Sequence, residues 1–263
     1  MIIEQCKIIR NEEIAGGIWE MKFSAPGIAS NYTGPGQFLE ILLENKWSFT
    51  VRRPMSIANV EGNRITVIFK IFGRGTKLLS ERKIGEVLDL LGPLGNVFSG
   101  WNEKYVPILV GGGVGLAPIL NLFKECQKYK IHSNLILGAR TGREHFMAHD
   151  PSNGIYLTTD DGTLGISGTV IPTLKNVFSD VDNPMVYACG PLPMLKAVQD
   201  FVIQNKIPTQ LSVESYMGCG TGLCQGCVIK KRNIKAKTHS YHERYSLVCM
   251  DGPVYSADEV CFD

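Results

Sequence analysis

Cys219, Cys224, Cys227 and Cys249 are spaced C-x4-C-x2-C, with the last cysteine following after 21 intervening residues. Thiolates at this spacing match the plant-type [2Fe-2S] pattern, in which a tight loop wraps three sulfurs around the cluster and a distant strand or loop delivers the fourth. Gly218, Gly220, Gly222 and Gly226 interleave the ligands. Without a Cβ, such a loop can curl closely and aim N–H groups at sulfur, which tunes a reduction potential. A structural zinc site with four thiolates is the alternative, but zinc ribbons usually pair two short C-x2-C knuckles, and the second is missing here. The spacing favours iron–sulfur. Cys6, Cys126 and Cys261 are isolated and read as small apolar core residues.

A second constellation is Gly111-Gly112-Gly113-Val114-Gly115-Leu116-Ala117-Pro118, preceded by the apolar run Val106 to Val110. A strand ending in a glycine turn that opens a helix places free N–H groups and a positive helix end where a pyrophosphate can sit. Tight βα turns also use glycine for packing alone, so the loop by itself leaves both readings open. The acid expected after the second strand of a dinucleotide fold is absent, since Leu137-Gly138 is followed by Ala139 and Arg140. Cys189 follows a strand-like run, Met185 to Ala188, and precedes Gly190-Pro191. That is the carboxyl edge where parallel sheets bind ligands, so Cys189 is the candidate catalytic residue, with simple packing as the alternative.

Nearer the start, Arg53-Pro54-Met55-Ser56 combines a guanidinium suited to a pyrophosphate with a hydroxyl beyond a rigid turn, and Gly73-Arg74-Gly75-Thr76 is a second glycine-plus-hydroxyl turn. An edge-strand proline with solvated arginines would leave the same trace.

These groups must be held by at least two kinds of scaffold. The first hundred residues alternate short apolar runs, such as Gln37 to Leu43 and Arg64 to Phe72, with turn signals at Gly16-Gly17, Gly34-Pro35-Gly36 and Glu61-Gly62-Asn63. This reads as an antiparallel barrel over 1–101. From Trp101 strand-like runs alternate with helical stretches; Leu116, Ile119, Leu120 and Phe123 share one helical face, as do Leu195, Val198 and Val202. A parallel α/β domain over 102–212 follows. Residues 213–263 hold five of the eight cysteines and no long periodic segment, so this module needs a staple other than an apolar core.

Composition narrows the partners. A formal charge of +2 with 20% charged residues offers no basic stripe for nucleic acid and no charged tail for a membrane surface. Val106 to Phe123 runs uncharged for the length of a membrane span, but its glycines and prolines fit strand, turn and helix better. Met1-Ile2-Ile3-Glu4 has no basic region before an apolar one, so a secretory signal is not expected and the chain is placed in the cytoplasm. Clustered cysteines in that reducing compartment again point to metal or redox chemistry.

Read in order, Arg-Pro-x-Ser, Gly-x-Gly-Thr, Gly-Pro-Leu-Gly, Gly-Gly-Gly-Val-Gly-x-Ala-Pro and Tyr-x-Cys-Gly-Pro resemble the ferredoxin-NADP reductase superfamily along nearly the whole chain. Met217-Gly218-Cys219-Gly220 through Cys227, together with Cys249-x-x-Gly252-Pro253-Val254, narrows the resemblance to the electron-transfer subunits of class B dihydroorotate dehydrogenases. The resemblance implies a flavin-binding barrel, a nucleotide-binding α/β domain and a [2Fe-2S] module. It implies FAD at Arg53, Pro54, Met55 and Ser56, with Lys70, Ile71, Phe72, Gly75 and Thr76 flanking its remaining phosphate and ring contacts. Many reductases of the superfamily carry an aromatic residue where this chain has Met55, so ring stacking there is not carried over. Gly111, Gly112, Gly113 and Gly115 would face NAD as a diffusible cosubstrate, and Cys189, Gly190 and Pro191 would border the point where hydride meets flavin.

FAD exchanges both electron pairs and single electrons, so it joins the nicotinamide to the cluster. A catalytic, FMN-containing partner would oxidise dihydroorotate in pyrimidine biosynthesis, two copies of each subunit forming a heterotetramer. Met217, Leu223 and Gln225 in the cysteine loop are the expected docking surface. Two other readings stay open: a reductase subunit of a ferredoxin-linked NADPH oxidoreductase or sulfide dehydrogenase, and a non-catalytic iron–sulfur redox sensor. Arg140 and Arg143 follow the second strand, where a 2′-phosphate would be met, although loop arginines are often solvated; the resemblance favours NADH.

Overall fold

The computed structural model describes residues 1–44, 51–102, 104–232 and 240–262. Its first third is a closed antiparallel barrel. The strands are β1 (Ile2–Ala15), β2 (Ile18–Ser24), β3 (Phe38–Leu42), β4 (Arg53–Glu61), β5 (Arg64–Lys70) and β6 (Val87–Leu94), joined in the order β1-β2-β5-β4-β3-β6. Two short helices, α1 (Pro26–Asn31) and α2 (Arg74–Ser80), occupy its connections. Alternation sends Met21, Phe23, Leu39, Ile41, Ile57, Ile65, Val67 and Phe69 into the barrel interior, and Ile28 of α1 packs with them. On β5 the opposite face is buried too, at Thr66 and Ile68. Its pattern is therefore a continuous apolar run, as for a strand covered on both sides.

What covers it is the second domain. β7 (Val106–Gly112) runs through a 3₁₀ turn, Gly113–Gly115, into α3 (Leu116–Lys128). β8 (Asn134–Ala139), β9 (Ile155–Thr159), β10 (Ile166–Ser167), α4 (Val170–Ser179), β11 (Pro184–Cys189), α5 (Leu192–Gln204) and β12 (Thr209–Ser212) follow. The uncharged stretch Val106 to Phe123 is thus strand, turn and helix, and no helix among the described residues is long and apolar enough to cross a membrane. The α3 face carrying Leu116, Ala117 and Leu120 shares one core with Ile18, Ala58 and Ile68 of the barrel.

The C-terminal segment holds β13 (Val228–Lys230), α6 (Tyr241–Arg244), β14 (Tyr245–Leu247) and β15 (Val254–Ser256). β13 and β14 form a small antiparallel ladder. β15 instead completes the large sheet, whose order is β10-β9-β8-β7-β11-β12-β15, pairing antiparallel with β12 where the other strands run parallel. Val248, Cys227 and Cys249 accordingly lie in the same core as Val186, Leu211 and Tyr255.

Asn121 of α3 is a polar rivet in this joint. It is 2% exposed, and its amide donates to the Ile57 carbonyl at 2.9 Å and to the Tyr32 hydroxyl at 2.7 Å. Replacing Asn121 with Leu strands a buried carbonyl, so unfolding in denaturant is expected to lose about 1–3 kcal/mol. A stability equal to the parent's would show that the hydrogen bonds to the barrel contribute nothing net.

Candidate functional site

A cavity of about 390 Å³ opens where the three parts of the chain meet. The barrel supplies Phe38, Pro54, Met55, Ser56, Lys70, Phe72 and Thr76, α3 supplies Ala117, and the segment leaving β12 supplies Ser212 to Ser215, Met217 and Pro253. Its walls are mainly apolar with a few convergent hydroxyls, which suits a flat heteroaromatic ring. Pro54 stands opposite Glu40 across the β3–β4 ladder, with Ser56 opposite Phe38. Strand alternation thus turns Pro54 and Ser56 to one face. Arg53 lies against α2, its Nε 3.2 Å from where a Cβ on Gly75 would stand. The Thr76 hydroxyl accepts the Phe72 amide at 2.9 Å and so fixes the turn into α2.

A second cavity, about 560 Å³, lies along the carboxyl edge of the parallel sheet. It is lined by Gly112, Gly113, Gly138, Arg140, Glu144, Thr158, Asp160, Pro191 and Met194, and it shares Lys70 and Phe72 with the first. Among the expected nucleotide contacts, Gly112, Gly113 and Pro191 face this space. Gly111 and Gly115 have a different task. A Cβ on Gly115 would stand 2.4 Å from the Cys189 carbonyl carbon and from the Gly190 nitrogen, so its absence lets the loop seat on the end of β11. Gly190 sits under the Gly112 carbonyl, and Ile71 bonds through its N–H to the Gly17 carbonyl.

Cys189 is 1% exposed and lines neither cavity. Burial first, then the nearby Glu214 charge, push its thiol well above the ordinary range, which keeps it neutral. Glu214 is crowded by protein yet open to the first cavity, which it lines, and burial raises its carboxyl too.

The cysteine loop arrives beside the first cavity. Hydrogen bonds and electrostatic contact associate Cys219 with Cys224 and Cys227 with Cys249. Arranged this way, the four thiols would suit a binuclear cluster, one pair to each iron. Backbone N–H groups already aim at sulfur: Thr221 and Cys224 donate to Cys219 Sγ at 3.4 Å each, Gly226 to Cys224 at 3.5 Å and Cys249 to Cys227 at 3.4 Å. Desolvation at Cys219 opposes ionisation, but these N–H groups outweigh it and bring the thiol down to about 6. The donor set fits an iron–sulfur cluster. Gly220 (φ +68) and Gly222 (φ +82) make the curl in left-handed backbone. Cys224 and Leu223 face solvent, whereas Met217, expected on the docking surface with Leu223 and Gln225, turns inward to the first cavity. Its apolar side chain is better buried against ring and core than exposed.

Several site residues escaped sequence reading. Phe38, Ser212 and Glu214 lie apart from any motif, Pro253 stands in the Cys249-x-x-Gly252-Pro253-Val254 motif without having been placed at the cavity, and Glu144, Thr158 and Asp160 enter only because β8 and β9 end beside the glycine loop. The Arg140–Glu144 spacing, which forms an ion pair across a 3₁₀ turn, was the one available signal.

Residues 214–261 match the family model described as the iron-sulfur cluster binding domain of dihydroorotate dehydrogenase B. A protein of Caldanaerobacter subterraneus subsp. tengcongensis, named dihydroorotate dehydrogenase B (NAD(+)), electron transfer subunit, is 37% identical over 260 residues, 98% of each chain. The chain belongs to this family of electron transfer subunits. A second member, from Bacillus pumilus, is 36% identical over 96% of each chain. The fold of these subunits is also that of a solved NADH-dependent reduced ferredoxin-NADP oxidoreductase, at TM-score 0.84 and 26% identity over 99% of this chain and 91% of that one. Phthalate dioxygenase reductase shares the fold at TM-score 0.66 and 18% identity, covering 94% of each chain.

Gly220 tests the cluster loop. A Cβ there would stand 2.7 Å from Cγ of the fully buried Glu40 and would adopt φ +68. Gly220→Ala should cost about 1–2 kcal/mol from backbone handedness before the clash is counted. Iron per purified chain should fall by roughly half or more while bound flavin stays; full iron occupancy would show that the loop does not need this curl.

Proposed function

We propose that the chain carries electrons from the FMN of a catalytic dihydroorotate dehydrogenase subunit to NAD+, through a [2Fe-2S] cluster and FAD, in de novo pyrimidine biosynthesis. The partner would be present in equal number as a cytoplasmic heterotetramer of two of each. One observation carries the reading: the three sites are in series. Met217 and Pro253, from the two segments that bear the cluster cysteines, wall the flavin cavity on one side, and Lys70 and Phe72 join it to the nucleotide cavity on the other. When bound, FAD exchanges electron pairs with a nicotinamide and single electrons with a [2Fe-2S] centre.

The chain's own residues bind, orient and exclude water. Arg53 with Gly75 and Thr76 would take the flavin's phosphates, and Pro54, Met55 and Ser56 would hold its ring against Phe38 and Pro253. Gly112 and Gly113, which line the second cavity with Pro191, would face the nicotinamide nucleotide, and the missing Cβ of Gly112 clears Met194. Cys189 and Gly190 support that loop from below, and the buried neutral thiol acts by shape. Cys219, Cys224, Cys227 and Cys249 would hold the cluster. With the two cavities around Lys70 and Phe72 assigned to FAD and the nicotinamide nucleotide, the pyrimidine is assigned to the partner. The likeness to the ferredoxin-NADP oxidoreductase supports a second reading, a different partner feeding the same series.

Two outcomes check this. The isolated chain should reduce dyes with NADH and leave dihydroorotate untouched. Leu223, 86% exposed beside the exposed Cys224, should lie in the partner contact with Tyr216 and Met250. Leu223→Glu puts a charge into that desolvated patch, so dihydroorotate-to-NAD+ turnover by the assembled complex should drop about tenfold or more while NADH-to-dye activity stays. Unchanged coupled turnover would move the docking surface elsewhere.

Cys189→Ala should slow stopped-flow flavin reduction by NADH, by roughly tenfold, with FAD and iron content intact, because a small displacement of the loop misplaces the reacting carbon. A parental rate would reduce Cys189 to a core residue.

A further inference from the structure

Lys70 and Arg140 are the only basic side chains lining the nucleotide cavity among the described residues, and one carboxylate holds both. Glu144 Oε1 accepts from Lys70 Nζ at 2.8 Å, from Arg140 Nη2 at 2.8 Å and from Arg140 Nε at 3.2 Å. Glu144 is 9% exposed, on the 3₁₀ turn Gly142–Glu144 after β8, and Lys70 ends β5 of the barrel. Burial alone would raise the Glu144 carboxyl, but the two cations outweigh it and hold it below its ordinary value, so it is an anion at neutral pH. The arrangement is one carboxylate oxygen gripped by a lysine and by two N–H groups of an arginine, donors with which proteins also grip phosphate.

This is at odds with a cavity meant for a dinucleotide. A pyrophosphate brings negative charge, and glycine N–H groups at a helix start supply only partial positive charge in return. Both full positive charges within the cavity wall are already engaged, and the carboxylate engaging them lines the same cavity, as does Asp160. Lys70 also lines the flavin cavity. Whatever anion Lys70 holds is therefore drawn toward the barrel.

We propose that Glu144 is a built-in stand-in for the nucleotide's phosphates: in the free protein it keeps Lys70 and Arg140 in place, and an arriving pyridine dinucleotide takes them over through its pyrophosphate. The inference rests on the NAD reading of the cavity and adds to it the residue that the nucleotide must displace. No bond is made or broken; one ion pair replaces another. The exchange moves the lysine's partner from the protein to the ligand, which pulls the nucleotide against the barrel where the flavin cavity begins. It also makes nucleotide affinity a difference between two anions competing for the same cations. An acid inside an anion site then weakens binding while preorganising the groups that bind.

The test is calorimetric titration of the FAD- and cluster-loaded protein with ADP-ribose, which carries the pyrophosphate and no nicotinamide. Glu144→Gln removes the competing charge, and Glu144→Asp keeps the charge but draws it back by a methylene, out of reach of Lys70. Both should bind ADP-ribose more tightly than the parent, by about fivefold or more, and the gain should vanish when Lys70→Met is added to either. Tightening in Glu144→Gln alone would make this a net-charge effect and overturn the proposal, as would unchanged or weaker binding in both. If Glu144→Gln loses its flavin through failure to fold, Glu144→Asp decides the matter by itself. If neither parent nor variants bind ADP-ribose, the nucleotide reading falls and the proposal with it, an outcome distinct from binding that the variants leave unimproved.

Discussion

The architecture depends on one cavity that no single part of the chain can build. Its floor and one wall come from β4 and β5, its roof from α3, and its far side from the segment that leaves β12 and returns at Pro253. Apolar burial drives all three together: Ile18, Ala58 and Ile68 leave the barrel's outer face uncovered until α3 packs there, and Val248 and Cys249 share a core with the sheet. A flat ring bound in that space would touch every part of the chain.

Backbone proximity does much of the work that charge does in other sites. Gly115 seats the nucleotide loop against Cys189 and Gly190 because no side chain intervenes, and Gly220 and Gly222 curl the cysteine loop so that N–H groups reach sulfur. These are contacts of main chain with main chain or with a ligand atom. The nucleotide side is built by the opposite device, long charged side chains from two domains meeting on one acid.

What was legible in the sequence follows from range. The cysteine spacing, the glycine loop after Val106 to Val110 and the helical faces at Leu116 and Leu195 are local signals, and each landed on the element expected. The residues expected at the cofactors divided. Pro54, Met55, Ser56, Lys70, Phe72, Thr76, Gly112, Gly113 and Pro191 reach a cavity, whereas Gly111, Gly115, Gly190 and Cys189 shape the backbone that frames one. A glycine's identity does not tell contact from clearance, because both need the missing Cβ. The meeting of Lys70 with Glu144 was illegible for another reason: it joins two domains, and neither residue stands in a motif that predicts the other. Met217 was placed on the docking surface because it stands with Leu223 and Gln225 in a glycine-rich, largely uncharged loop, but an irregular loop has no period from which to read which side chains turn inward.

The three residues of β15 carry a consequence for synthesis and for modularity. Until Val254–Ser256 leaves the ribosome, β12 is the edge of a parallel sheet with its ladder unfilled, although everything needed for a nucleotide domain has already been made. Open edges of that kind invite pairing with other chains. The cluster segment therefore acts as the sheet's own selvedge. A gene truncated or fused before β15 would yield a domain that looks complete by length yet ends on an adhesive border, so this module cannot be traded between proteins as freely as its compact cysteine motif suggests.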